Sequence, residues 1–221
     1  MDGTNTLPIY VTWDQVIQQD TQLLDQAMRG IRSMLRFTDG RREVKFYGPG
    51  PWSNGEYGSV PWYLDQCRMA NGQIDAQKLV ELQLFEPWRK QQPHIDFMLT
   101  GEDMTAKQGG QQLNFVFGLA CSLVSVQSVW RFVRGASSRA SALECVWLLA
   151  AHEFGHVLGL LDGNAPHADR RPGLYQRHCT NCCVMKQVMS VPEAERLVVN
   201  LRQQRRVLCP QCIPYLARAA S

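Results

Sequence analysis

The densest chemistry in the chain lies in the stretch Ala151-His152-Glu153-Phe154-Gly155-His156. Two histidines four residues apart on a helix share one face, with Cβ atoms roughly 6 Å apart, so their imidazoles can grip a single cation. Zinc suits such a pair. It accepts nitrogen ligands tetrahedrally, and a catalytic zinc site takes three protein ligands and keeps a fourth position open. Glu153 follows the first histidine, where a carboxylate reaches water beside the ion without ligating it. A metal lowers the pKa of such water toward ~7. The glutamate then takes a proton and later hands it to a leaving amine.

Three residues past His156 comes Gly159, which can adopt positive φ, end the helix and turn the chain back beneath the metal. The next position of ligand type is Asp162, in Gly159-Leu160-Leu161-Asp162-Gly163-Asn164. An aspartate is a hard anionic ligand that zinc accepts; the same Asp-Gly-Asn would also make a turn on its own. The whole pattern, His-Glu-x-x-His-x-x-Gly-x-x-Asp, resembles the metzincin clan of zinc metallopeptidases. Most of its members carry histidine at the last position, and the snapalysin-like minority carry aspartate. The resemblance implies His152, His156 and Asp162 as ligands of a catalytic zinc and Glu153 as the general base.

Cysteine placement points to a second metal. Three of the eight cysteines (Cys67, Cys121, Cys145) stand alone in apolar surroundings, as small buried hydrophobes do. Downstream the chain reads His178-Cys179-Thr180-Asn181-Cys182-Cys183-Val184-Met185, then Cys209-Pro210-Gln211-Cys212. Two close-spaced cysteine groups about two dozen residues apart are what a closed four-thiolate zinc site needs, with Cys182 or Cys183 spare. With the histidine helix, these elements resemble archaemetzincins, over residues 94–215. Asn114-Phe115-Val116-Phe117-Gly118-Leu119-Ala120 and Ser128-Val129-Trp130-Arg131 are similar to that family's strand before the active-site helix. The resemblance implies a structural zinc on Cys179, Cys183, Cys209 and Cys212, and Met185 as an apolar floor under the catalytic ligands. Cys183 is preferred to Cys182 because it keeps the Cys-x-Met register, although the gap from Cys179 is one residue short. A second departure concerns the third ligand. In the family a histidine sits immediately before the first module cysteine, whereas here sixteen residues separate Asp162 from Cys179. His178 is therefore an alternative third ligand and His167 a further one; the six-residue step from His156 favours Asp162.

These residues need elements to hold them. Spacing of Val16, Ile17, Leu23, Leu24, Met28, Ile31 and Leu35 predicts an amphipathic helix over 13–37. A long helix over 137–160 is almost wholly apolar from Val146 to Ala151 and must be buried. Further helices are expected near 75–84, capped by Asn71 or Asp75, and over 192–206. Strands are expected at 43–47, 95–100, 112–117 and 122–132, the last half-exposed, with residues 48–63 a long loop. The fold class expected is α+β and zincin-like: a mixed twisted sheet on two long helices. Residues 1–159 would form one subdomain, and 160–221 a small irregular one holding the four-cysteine zinc site and the last helix.

The 221 residues are 45% hydrophobic and 19% charged, which excludes a disordered, collagenous or coiled-coil chain. A net charge of +3 gives no push toward nucleic acid or a membrane surface, and no apolar run reaches the ~18 residues of a membrane span. The first residues have no signal-peptide pattern, so a cytoplasmic location is expected. The function expected is zinc-dependent hydrolysis of peptide bonds, the substrate lying along a sheet edge at 112–118 or 122–130. The archaemetzincin resemblance implies aminopeptidase-like action on short peptides. Two other readings compete: a zinc-ribbon protein contacting nucleic acid through Arg202, Arg205 and Arg206, and an inactive relative stabilised by its metals.

Overall fold

A computed structural model describes residues 7–38, 42–50, 59–161, 165–169 and 176–219. In chain order the elements are β1 (Ile9–Trp13), α1 (Gln15–Gln19), α2 (Thr21–Leu35), β2 (Val44–Gly48), α3 (Val60–Cys67), β3 (Ile74–Asp75), α4 (Ala76–Leu84), α5 (Pro87–Gln91) and β4 (Ile95–Thr100). They continue with β5 (Met104–Thr105), β6 (Lys107–Gln108), β7 (Gln111–Gln112), β8 (Gly118–Ala120), β9 (Val124–Ser128), α6 (Trp130–Gly135), α7 (Arg139–Val157), α8 (Val191–Gln203) and α9 (Ile213–Ala219).

The main sheet has the order β2-β1-β4-β9-β8; neighbours run parallel except β8, which pairs antiparallel with β9 and forms one edge, β2 forming the other. The α+β class and the mixed sheet on long helices are therefore as expected. Helix α7 starts at Ser138, whose hydroxyl accepts from Ser141 N at 3.1 Å. Its residues from Cys145 to Val157 are all buried. Gly30 lets α2 lie directly on it: a Cβ there would stand 2.6 Å from the Trp147 carbonyl oxygen. Parallel strands are usually covered on both faces, and these are. Phe97 and Leu99 pack with α2 and α7, whereas Met98, Val124 and Val126 pack with Tyr63, Leu64, Leu79 and Val80 of α3 and α4.

Several boundaries differ from the sequence expectations. The first helix breaks at Asp20, which caps neither half with its side chain but ion-pairs with Arg139 at 2.5 Å. The stretch 112–117 is not one strand: Gln111–Gln112 closes a small hairpin through Gly109 and Gly110, both at positive φ, and the sheet strand begins at Gly118. The strand from 122 ends at Ser128, where α6 takes over, and all five residues of β9 are buried because helices or neighbouring strands cover both faces. It is interior, so 122–130 offers no edge. Part of the expected 48–63 loop is helix, since α3 begins at Val60 with Ser59 as its cap; residues 51–58 lie outside the described residues. Among the described residues no helix is long and apolar enough to cross a membrane.

Candidate functional site

His152 and His156 project from the last two turns of α7 into a cleft of about 350 Å³ whose walls include Phe117, Phe132, Leu148, Leu149 and Val188. The helix ends as the glycine predicts. Gly159 has φ 73°, Leu160 N–H donates to Gly155 O at 3.0 Å and Gly159 N–H to His156 O at 2.9 Å, the paired bonds of a Schellman cap. Leu161 follows with φ 72°, a second left-handed residue that completes the reversal at a cost of about 1 kcal/mol. Asp162 lies outside the described residues. The side chain brought to the histidine pair is His178: the ligand nitrogens of His152, His156 and His178 all lie within 4.8 Å of one another.

The donor chemistry fits a zinc ion. Burial pulls His152 down to about 4, against a smaller opposing effect of its bond to Val184. Burial first, then the charges of His152 and His178, hold His156 well below the usual histidine range. Both rings are thus neutral at pH 7, with lone pairs to offer. His152 Nδ1 lies 2.8 Å from the Val184 carbonyl, which can only accept, so the proton sits on Nδ1 and Nε2 is bare. That Nε2 is 3.1 Å from His156 Nε2; two Zn–N bonds at the tetrahedral angle place the nitrogens ~3.3 Å apart. Glu153 lines the same cleft, is itself buried, and is raised by burial to about 8. A divalent cation nearby inverts that preference and favours the carboxylate.

Met185 packs against the helix at Gly155. Gly155 faces it so closely that a Cβ would collide with the Met185 sulfur. Gly118 of the edge strand is equally close to the glutamate: a Cβ there would lie 2.5 Å from Glu153 Oε1. Sequence reasoning assigned no role to Gly118 or to the Val184 carbonyl. The glycine has no local signal beyond its residue type, and a backbone carbonyl has none.

Cys179, Cys183, Cys209 and Cys212 form one buried cluster of free thiols. The Sγ–Sγ separations are 3.7 Å for Cys179–Cys209 and 3.6 Å for Cys183–Cys212. Four Zn–S bonds of ~2.3 Å give tetrahedral edges of ~3.8 Å, whereas a disulfide needs ~2.05 Å. Hydrogen bonds from Cys183 and Cys212 hold the Cys179 thiol well down, and Cys183 and Cys212 are pushed up in turn. Cys182 is half-buried. His167 joins the cysteines rather than the histidine trio: its ring nitrogen and the sulfurs of Cys179, Cys209 and Cys212 all lie within 4.8 Å of one another, with Nε2 3.3 Å from Cys212 Sγ, and Cys183 adjoins this group through Cys212.

A third group, Glu86, His94 and Asp96, is also metal-capable by type, but Arg89 already ion-pairs with Asp96 and His94 sits between two oxygen acceptors, Gln92 O and Asp96 Oδ1. It is a self-neutralised ion network.

No family model matches the chain, and no curated protein matches it in sequence. Solved structures do. Archaemetzincin (amzA) from Methanopyrus kandleri superposes with a TM-score of 0.62 at 22% identity, covering 99% of this chain and 97% of that one. A zinc-dependent peptidase from Methanocorpusculum labreanum superposes with a TM-score of 0.58 at 20% identity, covering 94% and 99%. At these identities the likeness establishes a shared fold over nearly the whole chain.

Proposed function

We propose that the chain is a zinc-dependent peptidase of the archaemetzincin kind, with Glu153 as general base and His152, His156 and His178 as ligands of the catalytic ion. The observation that carries this reading is three convergent imidazoles beside a buried glutamate on the wall of an open cleft. His178 is preferred to Asp162 because its ring already faces both others, with centroids 5.2 Å from His152 and 5.1 Å from His156. Both solved relatives, one called an archaemetzincin and the other a zinc-dependent peptidase, support the same activity.

Zinc, when bound, supplies a Lewis acid that acidifies water and polarises the peptide carbonyl. The chain does the rest. The Val184 carbonyl fixes the His152 tautomer, and Met185 packs under the helix that carries the ligands. Strand β8 offers an edge along which an extended peptide can add its main-chain hydrogen bonds. Glu153, against that strand, accepts the water proton as the hydroxyl adds to the carbonyl carbon. It then delivers the proton to the amide nitrogen as the C–N bond breaks. The apolar walls suit short peptides with a large hydrophobic side chain, and aminopeptidase-like cleavage is the mode we favour. Residues 1–159 and 160–221 are read as the two sides of the cleft, the second carrying a thiolate zinc on Cys179, Cys183, Cys209 and Cys212. A cytoplasmic setting goes with reduced thiols.

The test is metal content and peptide turnover of wild type against Glu153→Ala. Two zinc ions per chain in both proteins, with turnover reduced at least ~10²-fold in the variant, is the expected result. Undiminished turnover would remove Glu153 as the base, and a chain that binds zinc only at its cysteines would favour the ribbon-like reading.

A further inference from the structure

We propose that His167 is the hydrogen-bond donor to the Cys212 thiolate that completes the thiolate centre and slows release of its ion. This rests on the reading that Cys179, Cys183, Cys209 and Cys212 hold zinc, and it concerns a residue which that reading leaves without a task.

Four thiolates around one divalent ion carry net negative charge, and the cluster is buried. Such charge is tolerable where N–H groups point at the sulfurs. Each sulfur has at least one. Cys179 receives Asn181 N–H at 3.4 Å, Cys183 receives Cys209 N–H at 3.4 Å, and Cys209 receives the Asn181 amide at 3.7 Å. For Cys212 the donor is a side chain, His167 Nε2 at 3.3 Å. A thiolate offers only lone pairs there, which places the imidazole proton on Nε2.

The ring is held for this. Its own carbonyl accepts both Thr180 N–H and Thr180 Oγ1–H, each at 3.0 Å. Next to it Ala168 bridges Cys179 in antiparallel fashion, and Asp169 N–H donates to His178 O at 2.7 Å. Tyr215 packs edge-on against the imidazole, centroids 5.3 Å apart. Residues 165–169 thus form a short strap across 178–180 that sets its one imidazole on the Cys212 sulfur. The strap lies in the stretch between Asp162 and Cys179 that lengthens this chain relative to the archaemetzincin pattern.

The experiment uses the full chain loaded with Co²⁺ or Zn²⁺, as wild type, His167→Ala and His167→Gln. Sulfur-to-cobalt charge-transfer absorption reports only the thiolate centre, and a chromogenic chelator reads zinc release from it. Loss of an outer hydrogen bond to a ligand weakens metal holding about 10–100-fold. His167→Ala should therefore release the slow zinc about 10–100-fold faster. His167→Gln, whose amide N–H can still reach the sulfur, should recover part of that, and all three proteins should show the same charge-transfer intensity. Equal release rates in all three would overturn the proposal. So would ligand-field bands altered alike in both variants, which would make His167 a ligand instead of a donor. Absence of thiolate absorption in the wild type would instead defeat the underlying reading of the cysteines as a metal centre.

Discussion

Replacing Gly118 by alanine tests the proposed base through its surroundings, without touching the base or a ligand. The methyl carbon would stand 2.5 Å from Glu153 Oε1 and 2.7 Å from Cδ and Cγ. Comfortable contact begins near ~3.5 Å, so the carboxylate must retreat by about 1 Å. Backbone conformation does not object, because Gly118 is not among the positive-φ glycines. A misplacement of ~1 Å at a reacting group costs about 10²-fold in rate, equivalent to about 2.7 kcal/mol of transition-state stabilisation. Steady-state kinetics on a quenched-fluorescence peptide, with metal content measured in parallel, is the assay. Gly118→Ala should lower kcat about 100-fold, leave KM within about twofold, and retain both metal ions. A kcat near that of the wild type would refute the reasoning, since a carboxylate free to move that far could not be held in place by its contact with the edge strand. A loss of metal alongside kcat would mean that the methyl had disturbed the histidines instead.

The third ligand is tested by a pair of variants. His178→Ala should weaken catalytic zinc more than about 100-fold while sparing the thiolate ion, and Asp162→Ala should leave both; dialysis against graded zinc buffers reads the difference, and the reverse pattern would restore the aspartate. A second expectation concerns pH. Burial pulls His94 down most strongly, but its bonds to Asp96 and Glu86 outweigh that and hold it up at about 9 against 6.5 in a free chain. A raised pKa contributes stability that is complete below pH 6.5 and disappears as pH rises through 9, here about 3 kcal/mol. Urea unfolding of the metal-loaded protein should therefore weaken between pH 6.5 and 9.5 by about that amount more in the wild type than in His94→Gln; parallel curves for the two proteins would rule out the charged imidazole.

Legibility along the chain follows how local each feature is. The pair His152 and His156 needs only one helix, and Gly159 needs only its own conformational freedom, so both stand in the structure as their spacing implies. Cys209 and Cys212 close one turn, Cys212 N–H donating to Cys209 O at 3.0 Å, and that too is short-range. Strand β9 misled because its alternation of Val with Ser and Gln imitates a half-exposed strand. Inside the sheet, Gln127 instead satisfies Ser125 at 2.9 Å, so polar residues are buried as a pair. Strand β8 has only three residues, too few to show a period, and its place is set by pairing with β9. The third ligand depends on where a chain of sixteen residues returns, and no residue type between Asp162 and Cys179 encodes that.

What returns it, on the proposed reading, is the cysteine cluster. His178 and Cys179 are adjacent, so whatever fixes the thiol fixes the imidazole to within one residue. Cys183, Val184 and Met185 then divide three tasks in sequence. Cys183 joins the sulfur cluster, Val184 orients His152 at 2.8 Å, and Met185 packs on Gly155. Val184 N–H is itself tied to Val207 O at 2.9 Å, just before Cys209. The thiolate cluster therefore pins both ends of the segment that positions two of the three histidines. A small irregular stretch with little regular secondary structure can place an imidazole to within a few tenths of an ångström only if something rigid clamps it. The proposed ion, gripped by sulfurs, would supply that rigidity where a helix or sheet does not. The cysteines would then be the scaffold of the proposed active site.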